Sequence, residues 1–232
     1  MTGGSDGIPR ELVGPAPAVL RWIGNRESSL VRALWRISVD AQGIDPSAFA
    51  AGPTIIAANH RSLLDTVVLR YVLHPSVRAR TATVGARDFF APGPSDRGVR
   101  WLMRSMLCSY IVGTYRVCLI GRGDDMGDGV GRITALLANG WHVILFPEGT
   151  RSRSGELGRF RSGVAHLARL SSARVLPVWL GGTDDLMPVG ARWLHRGTIT
   201  VRGGEPMNVR PDESNGAFLD RLRASIVALR PA

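Results

Sequence analysis

The residues best suited to chemistry stand in one short run, Asn59-His60-Arg61-Ser62-Leu63-Leu64-Asp65, where a histidine and an aspartate are separated by four residues. A carboxylate that accepts a hydrogen bond from one imidazole nitrogen fixes the ring's tautomer and leaves the other nitrogen as a base. The apolar run Thr54–Ala58 before it reads as a buried strand, and Thr66–Leu73 after it reads as a helix. Five steps along a regular helix turn through about 140°, so His60 and Asp65 would not share a helical face. The pair can meet only if His60 lies in the turn before the helix and its ring folds back over the first turn. Taken alone, the same pair would also suit a histidine that caps a helix.

A base needs a nucleophile to activate, and the chain offers none of its own. No Gly-x-Ser-x-Gly sequence follows an apolar strand-like run, as a nucleophile elbow would, and Cys108 and Cys118 stand in apolar surroundings without metal or redox spacing. The hydroxyl activated by His60 would then belong to a substrate. A second polar strand end, Phe146-Pro147-Glu148-Gly149-Thr150-Arg151-Ser152-Arg153, follows the apolar run Trp141–Phe146. Glycine, hydroxyls and arginines after a strand suit a phosphate, because backbone amides and guanidinium forks complement an anion. Glu148 is unusual in an anion site and would orient an arginine or accept from a substrate hydroxyl. No Walker A or Gly-x-Gly-x-x-Gly sequence points to a nucleotide, and the remaining histidines have no metal-ligand spacing, so no cofactor or metal is expected.

Strands alternating with helices must position these two corners. Strand-like runs at Ile37–Gln42, Thr54–Ala58, Arg80–Arg87, Val117–Ile120, Trp141–Phe146, Arg174–Leu180 and Thr198–Arg202 are separated by helical patterns. These patterns include Met126–Asn139, closed by Gly140, then Phe160–Leu170 and an amphipathic Phe218–Leu229. The expectation is one layered α/β domain with a mainly parallel central sheet flanked by helices, whose ligands gather at the carboxyl ends of the strands. The helical stripe Val99, Leu102, Met103, Met106, Leu107 and Tyr110 is expected in the core, with an acyl-chain groove as the alternative. Residues 1–18 read as a flexible tail, 19–36 as an amphipathic helix and 37–232 as the main domain. The helix over Val19–Ile37 carries two tryptophans and several arginines, which suits either a membrane interface or the protein's own core.

The formal charge is +10 with a pI near 11.2, and all 29 basic residues are arginine. Such a surface attracts anionic partners. Nucleic acid is not expected among them, because no binding motif appears and the aromatic residues do not interleave with the arginines. No uncharged stretch reaches the ~20 residues needed to span a bilayer, and the polar start, Met1 to Gly14, shows no secretory signal pattern.

Taken together, Asn-His-x-Ser-x-x-Asp at Asn59–Asp65 and Phe-Pro-Glu-Gly-Thr-Arg-Ser at Phe146–Ser152 resemble the glycerophospholipid acyltransferase family. Weaker echoes are Leu119-Ile120-Gly121-Arg122, with Gly121 where the family has an acidic residue, Phe160-Arg161-Ser162-Gly163, and Leu176-Pro177-Val178. The resemblance covers roughly residues 37 to 205. It implies a general base at His60 oriented by Asp65, with acceptor binding by Glu148, Gly149, Thr150 and Arg151 and a second phosphate contact at Arg122. It also implies a lysophospholipid acceptor, foremost 1-acylglycerol-3-phosphate, which would become phosphatidic acid, with acyl-CoA or acyl carrier protein as co-substrate. Another lipid or glycolipid acceptor is the alternative, and the Gly182–Pro188 loop is a candidate for setting that preference. Amides at the start of the helix after His60 are candidates to stabilise the oxyanion. The acceptor would reside in a membrane, so peripheral attachment to the anionic inner face of the cell membrane is expected, with the protein otherwise cytoplasmic.

Overall fold

The computed structural model describes residues 36–86, 97–120, 126–152, 156–188 and 193–231. The Val19–Ile37 helix therefore lies outside the described residues except for its last two positions, and Arg122 lies outside them altogether.

Seven strands form one sheet, in the order β1-β7-β6-β2-β5-β3-β4. They are β1 Ile37–Gln42, β2 Thr54–Ala58, β3 Thr81–Ala86, β4 Val117–Ile120, β5 His142–Leu145, β6 Arg174–Gly181 and β7 Gly197–Gly203. All neighbours pair in parallel except β6 with β7. β2 sits mid-sheet, and its sequence explains why: Thr-Ile-Ile-Ala-Ala is apolar on both faces and buried throughout. Because side chains alternate along a strand, Ile55 and Ala57 enter one core, while Ile56 and Ala58 enter the other. Burying each isoleucine contributes about 1.5–3 kcal/mol.

The helices α1 Leu64–Val72, α2 Pro75–Ala79, α3 Gly98–Tyr115, α4 Met126–Ala138, α5 Gly163–Ser171, α6 Thr183–Leu186 and α7 Asn215–Ala228 cover the sheet. α4, α5 and α7 close one face through Leu136, Leu137, Val164, Leu167, Phe218 and Leu222. α1 closes the other through Val68 and Leu69, together with Leu73, Val77 and Leu186. Ser214 caps α7 by accepting from the Ala217 amide at 3.1 Å. Gly140 takes φ +78° just past α4, as its position after the helical pattern requires.

Two expectations need correction. The helix expected from Phe160 begins only at Gly163, because the Arg161 amide is held by the Pro147 carbonyl at 2.8 Å. The stripe on α3 is not core: Val99, Leu102, Met103 and Met106 are exposed. The reason is length. α3 has 18 residues, or about 27 Å at ~1.5 Å per residue. The edge strand it precedes, β4, has only four, or about 13 Å. The first half of the helix therefore overshoots the sheet, and fully buried positions on α3 are confined to Gly113 and Thr114 among its described side chains.

Candidate active site

The parallel arrangement brings the ends of β2, β5 and β6 to one edge of the sheet. Asn59, just past β2, is locked to β6 by two bonds: its amide donates to the Leu180 carbonyl at 2.8 Å, and its oxygen accepts from the Leu180 amide at 2.7 Å. His60 follows and precedes α1, which starts at Leu64, so its ring folds back over the first helical turn. Its Nδ1 meets Asp65 Oδ2 at 2.8 Å. The same oxygen accepts from the amides of Arg61 at 2.7 Å and Ser62 at 2.8 Å. An ionised carboxylate only accepts, which assigns a proton to Nδ1; in the neutral ring the lone pair is then on Nε2. The His60 ring stacks on Phe146, with centroids 4.0 Å apart and planes 16° apart, which fixes its rotation. The His60 side chain is 19% exposed while Asp65 is sealed, so a substrate can reach the imidazole but not its partner.

Glu148, just past β5, joins the two corners. Its Oε1 accepts from the His60 amide at 2.8 Å and its Oε2 from the Gly158 amide at 2.9 Å. The Ser152 amide returns a bond to the His60 carbonyl at 2.8 Å. His60 is thus clamped on both sides of its own peptide by the Glu148–Ser152 loop. Two glycines permit this. Gly149 takes φ +71°, and a Cβ there would lie 2.6 Å from Arg161 Nε. At Gly158 a Cβ would sit 2.9 Å from Glu148 Oε2. Each carboxylate oxygen retains a second lone pair, and Glu148 lines a cleft of about 330 Å³ with Thr150, Ser152 and Arg159. A glutamine in place of Glu148 would offer one acceptor oxygen where two amides need one each, leaving an N–H facing an N–H. For Glu148→Gln the expected result is a loss of about 1–3 kcal/mol in urea unfolding, the cost of one unmet buried amide. Unchanged stability would show that the clamp is not formed.

The structure brings His60, Asp65, Glu148, Gly149, Thr150 and Arg151 to this edge and says nothing of Arg122. Of the amides at the start of α1, those of Arg61 and Ser62 turn to Asp65. The Leu64 amide turns to Ser62 Oγ at 3.3 Å, and that of Asp65 to the Ser62 carbonyl. Arg159 and Arg161 were not foreseen at the site. Arg161, which belongs to the Phe160–Gly163 echo, crosses Gly149 and adds a cation beside the Glu148–Arg151 loop. The Gly182–Pro188 loop is tied to the corner, since Ser62 Oγ donates to the Met187 carbonyl at 2.9 Å and Arg61 pairs with Asp184 at 3.4 Å. His142 is at the opposite end of β5, edge-on to Phe49 at 5.0 Å. Burial, assisted by Arg80, pushes its pKa down to about 4. It is a neutral structural residue.

The model of the Acyltransferase family matches residues 39–181. The chain belongs to that family. Among the relatives of this acyltransferase-family chain is the chloroplastic 1-acyl-sn-glycerol-3-phosphate acyltransferase BAT2 of Brassica napus. It is 30% identical over 165 residues, covering 70% of this chain and 43% of that protein. The human 1-acyl-sn-glycerol-3-phosphate acyltransferase alpha is 24% identical over 205 residues, covering 86% of this chain and 66% of that protein. The chain spans less than half the length of its Brassica relative. The crystal structure of the 1-acyl-sn-glycerophosphate acyltransferase PlsC from Thermotoga maritima shares the fold, with a TM-score of 0.65 at 20% identity over 91% of this chain and 77% of that one.

Proposed function

We propose that this protein is an O-acyltransferase that moves a fatty acyl group from acyl-CoA or acyl carrier protein to the free hydroxyl of 1-acylglycerol-3-phosphate, giving phosphatidic acid. The observation that carries the reading is the His60 Nδ1–Asp65 Oδ2 pair at 2.8 Å, with the imidazole open to one side. Relatives named for this activity support the choice of acceptor. In the reaction, His60 Nε2 takes the proton of the acceptor hydroxyl as its oxygen attacks the thioester carbonyl carbon. Asp65 stabilises the imidazolium. The tetrahedral intermediate collapses with cleavage of the C–S bond, and the imidazolium returns the proton to the departing sulfur. General-base help of this kind contributes about 10²- to 10⁴-fold, and electrostatic stabilisation of the oxyanion supplies more. Gly149, Thr150 and Arg151 hold the glycerol phosphate, Arg122 adds a second phosphate contact, and Glu148 accepts from the glycerol while holding His60.

The acceptor is amphiphilic, and among the described residues no helix is long and apolar enough to cross a membrane. Attachment to an anionic inner membrane surface through the Val19–Ile37 helix and the arginine-rich surface fits both facts. The reading is tested by acyl transfer from acyl-CoA to a panel of lysolipids. The expected order places 1-acylglycerol-3-phosphate first. Arg151→Ala should raise the acceptor KM about tenfold, the loss of one charge-assisted phosphate contact of ~1.4 kcal/mol, with a smaller change in kcat. A glycolipid preferred over every phosphate-bearing acceptor, or an unchanged KM in the variant, would overturn the assignment.

A further inference from the structure

Large apolar side chains are exposed at nine described positions: Leu63, Val99, Trp101, Leu102, Met103, Met106, Leu170, Trp193 and Val227. The topology sorts them. Leu63 lies between the end of β2 and α1. Trp193 lies in the connection from the end of β6 to the start of β7, which runs antiparallel to β6 and so begins at the same edge. α3 follows the end of β3 and leads through Arg116 into the start of β4, which is parallel to β3. Its first half therefore stands at the carboxyl edge. Seven of the nine positions thus share the rim that carries His60 and Glu148, and only Leu170 and Val227 do not. Exposure on this rim is pronounced: 73% at Val99, 66% at Met103, 65% at Met106 and 77% at Trp193. So many exposed apolar side chains gathered along one rim mark an interaction site.

Charge indicates the partner. The segment 97–115 contains Arg97, Arg100 and Arg104 and no acidic residue, in a chain of formal charge +10. Tryptophan, methionine and leucine interleaved with arginine at a helix start suit the boundary between anionic head groups and acyl chains. We infer that the first half of α3, with Leu63 and Trp193, docks on an anionic bilayer and sets the active-site rim against the surface where an amphiphilic acceptor resides. These residues are distinct in sequence from the Val19–Ile37 stretch. It rests on the proposed function only for the acceptor's location.

Two variants of the full chain test it, each checked for folding by thermal melt. Trp101→Ser/Leu102→Ser/Met106→Ser alters the proposed face, and Leu170→Ser/Val227→Ser alters exposed apolar positions elsewhere. Sedimentation with vesicles of phosphatidylglycerol and phosphatidylcholine, or of phosphatidylcholine alone, measures docking. The expected result is binding to the anionic vesicles that salt weakens, reduced about tenfold or more by the triple variant and unchanged in the double variant. Transfer to a short-chain acceptor held below its micelle concentration should stay within about twofold of wild type, because that acceptor needs no bilayer. Vesicle binding retained by the triple variant overturns the inference. So does equal loss of transfer to the dispersed acceptor, which would assign the face to a substrate groove. A dimer in solution that the triple variant dissociates would assign it to a second copy of the chain and also overturn it. If wild type binds vesicles but transfers no acyl group, the proposed activity fails and the docking surface stands.

Discussion

Asp65→Asn is expected to lower kcat by about 10³- to 10⁴-fold, the scale on which a buried carboxylate that orients a catalytic histidine acts. Asp65 Oδ2 gathers three N–H donors, from His60 Nδ1 and the amides of Arg61 and Ser62. An asparagine can meet them in two ways, and both fail. If its oxygen takes the place of Oδ2, the charge that stabilises the imidazolium is gone. Its NH₂ then occupies the buried position of Oδ1, which has no hydrogen-bond partner in the protein. If the side chain is reversed, its NH₂ opposes two backbone amides and forces His60 into the other tautomer, with the proton on Nε2. Either arrangement strands at least one buried donor, so a stability loss of about 1–3 kcal/mol accompanies the kinetic one. Steady-state kinetics beside urea unfolding measures both. A variant that keeps a tenth or more of wild-type turnover would show that Asp65 is not the orienting group.

The chain's sequence made the strand ends visible because each is announced by an abrupt change from apolar to polar residues. Thr54–Ala58 into Asn59-His60 and His142–Phe146 into Glu148–Arg151 are both of this type. The stereochemical demand that His60 precede its helix was likewise readable, since a separation of five positions admits no contact along a regular helix. What Glu148 does was not readable. Its partners are the backbone amides of His60 and Gly158, and a backbone amide leaves no trace in residue identity. The same holds for the amides of Arg61 and Ser62, whose inward turn is set by Asp65 rather than by their own side chains. The stacking of His60 on Phe146 depends on β2 and β5 being neighbours, which pairing decides and local pattern does not.

The α3 stripe shows a different limit. Val99, Leu102, Met103 and Met106 have the spacing of a buried face, and periodicity reports only that the apolar residues share a side. Whether that side is covered depends on what lies beneath it. Here an 18-residue helix runs beside a four-residue edge strand. The mismatch in length leaves the first half uncovered on the rim of the site.

His60→Ala is the second large expected effect. The corner should survive the substitution, because its backbone anchors remain: the amide to Glu148, the carbonyl to Ser152, and Asn59 on Leu180. Asp65 keeps two of its three donors. The ring's stacking on Phe146 is lost, at a cost of about 0.5–1.5 kcal/mol beyond the buried area, which a domain of this size tolerates. The base is gone, and the loss of turnover should reach at least about 10²- to 10⁴-fold. The most direct test follows thiol release from acyl-CoA with and without 1-acylglycerol-3-phosphate, for wild type and for His60→Ala shown by circular dichroism to be folded. Wild type is expected to release thiol only when acceptor is present, in step with ester formed, and the variant almost none. Near-normal release by His60→Ala, or a stoichiometric burst of thiol from wild type without acceptor that leaves the protein acylated, would contradict the mechanism.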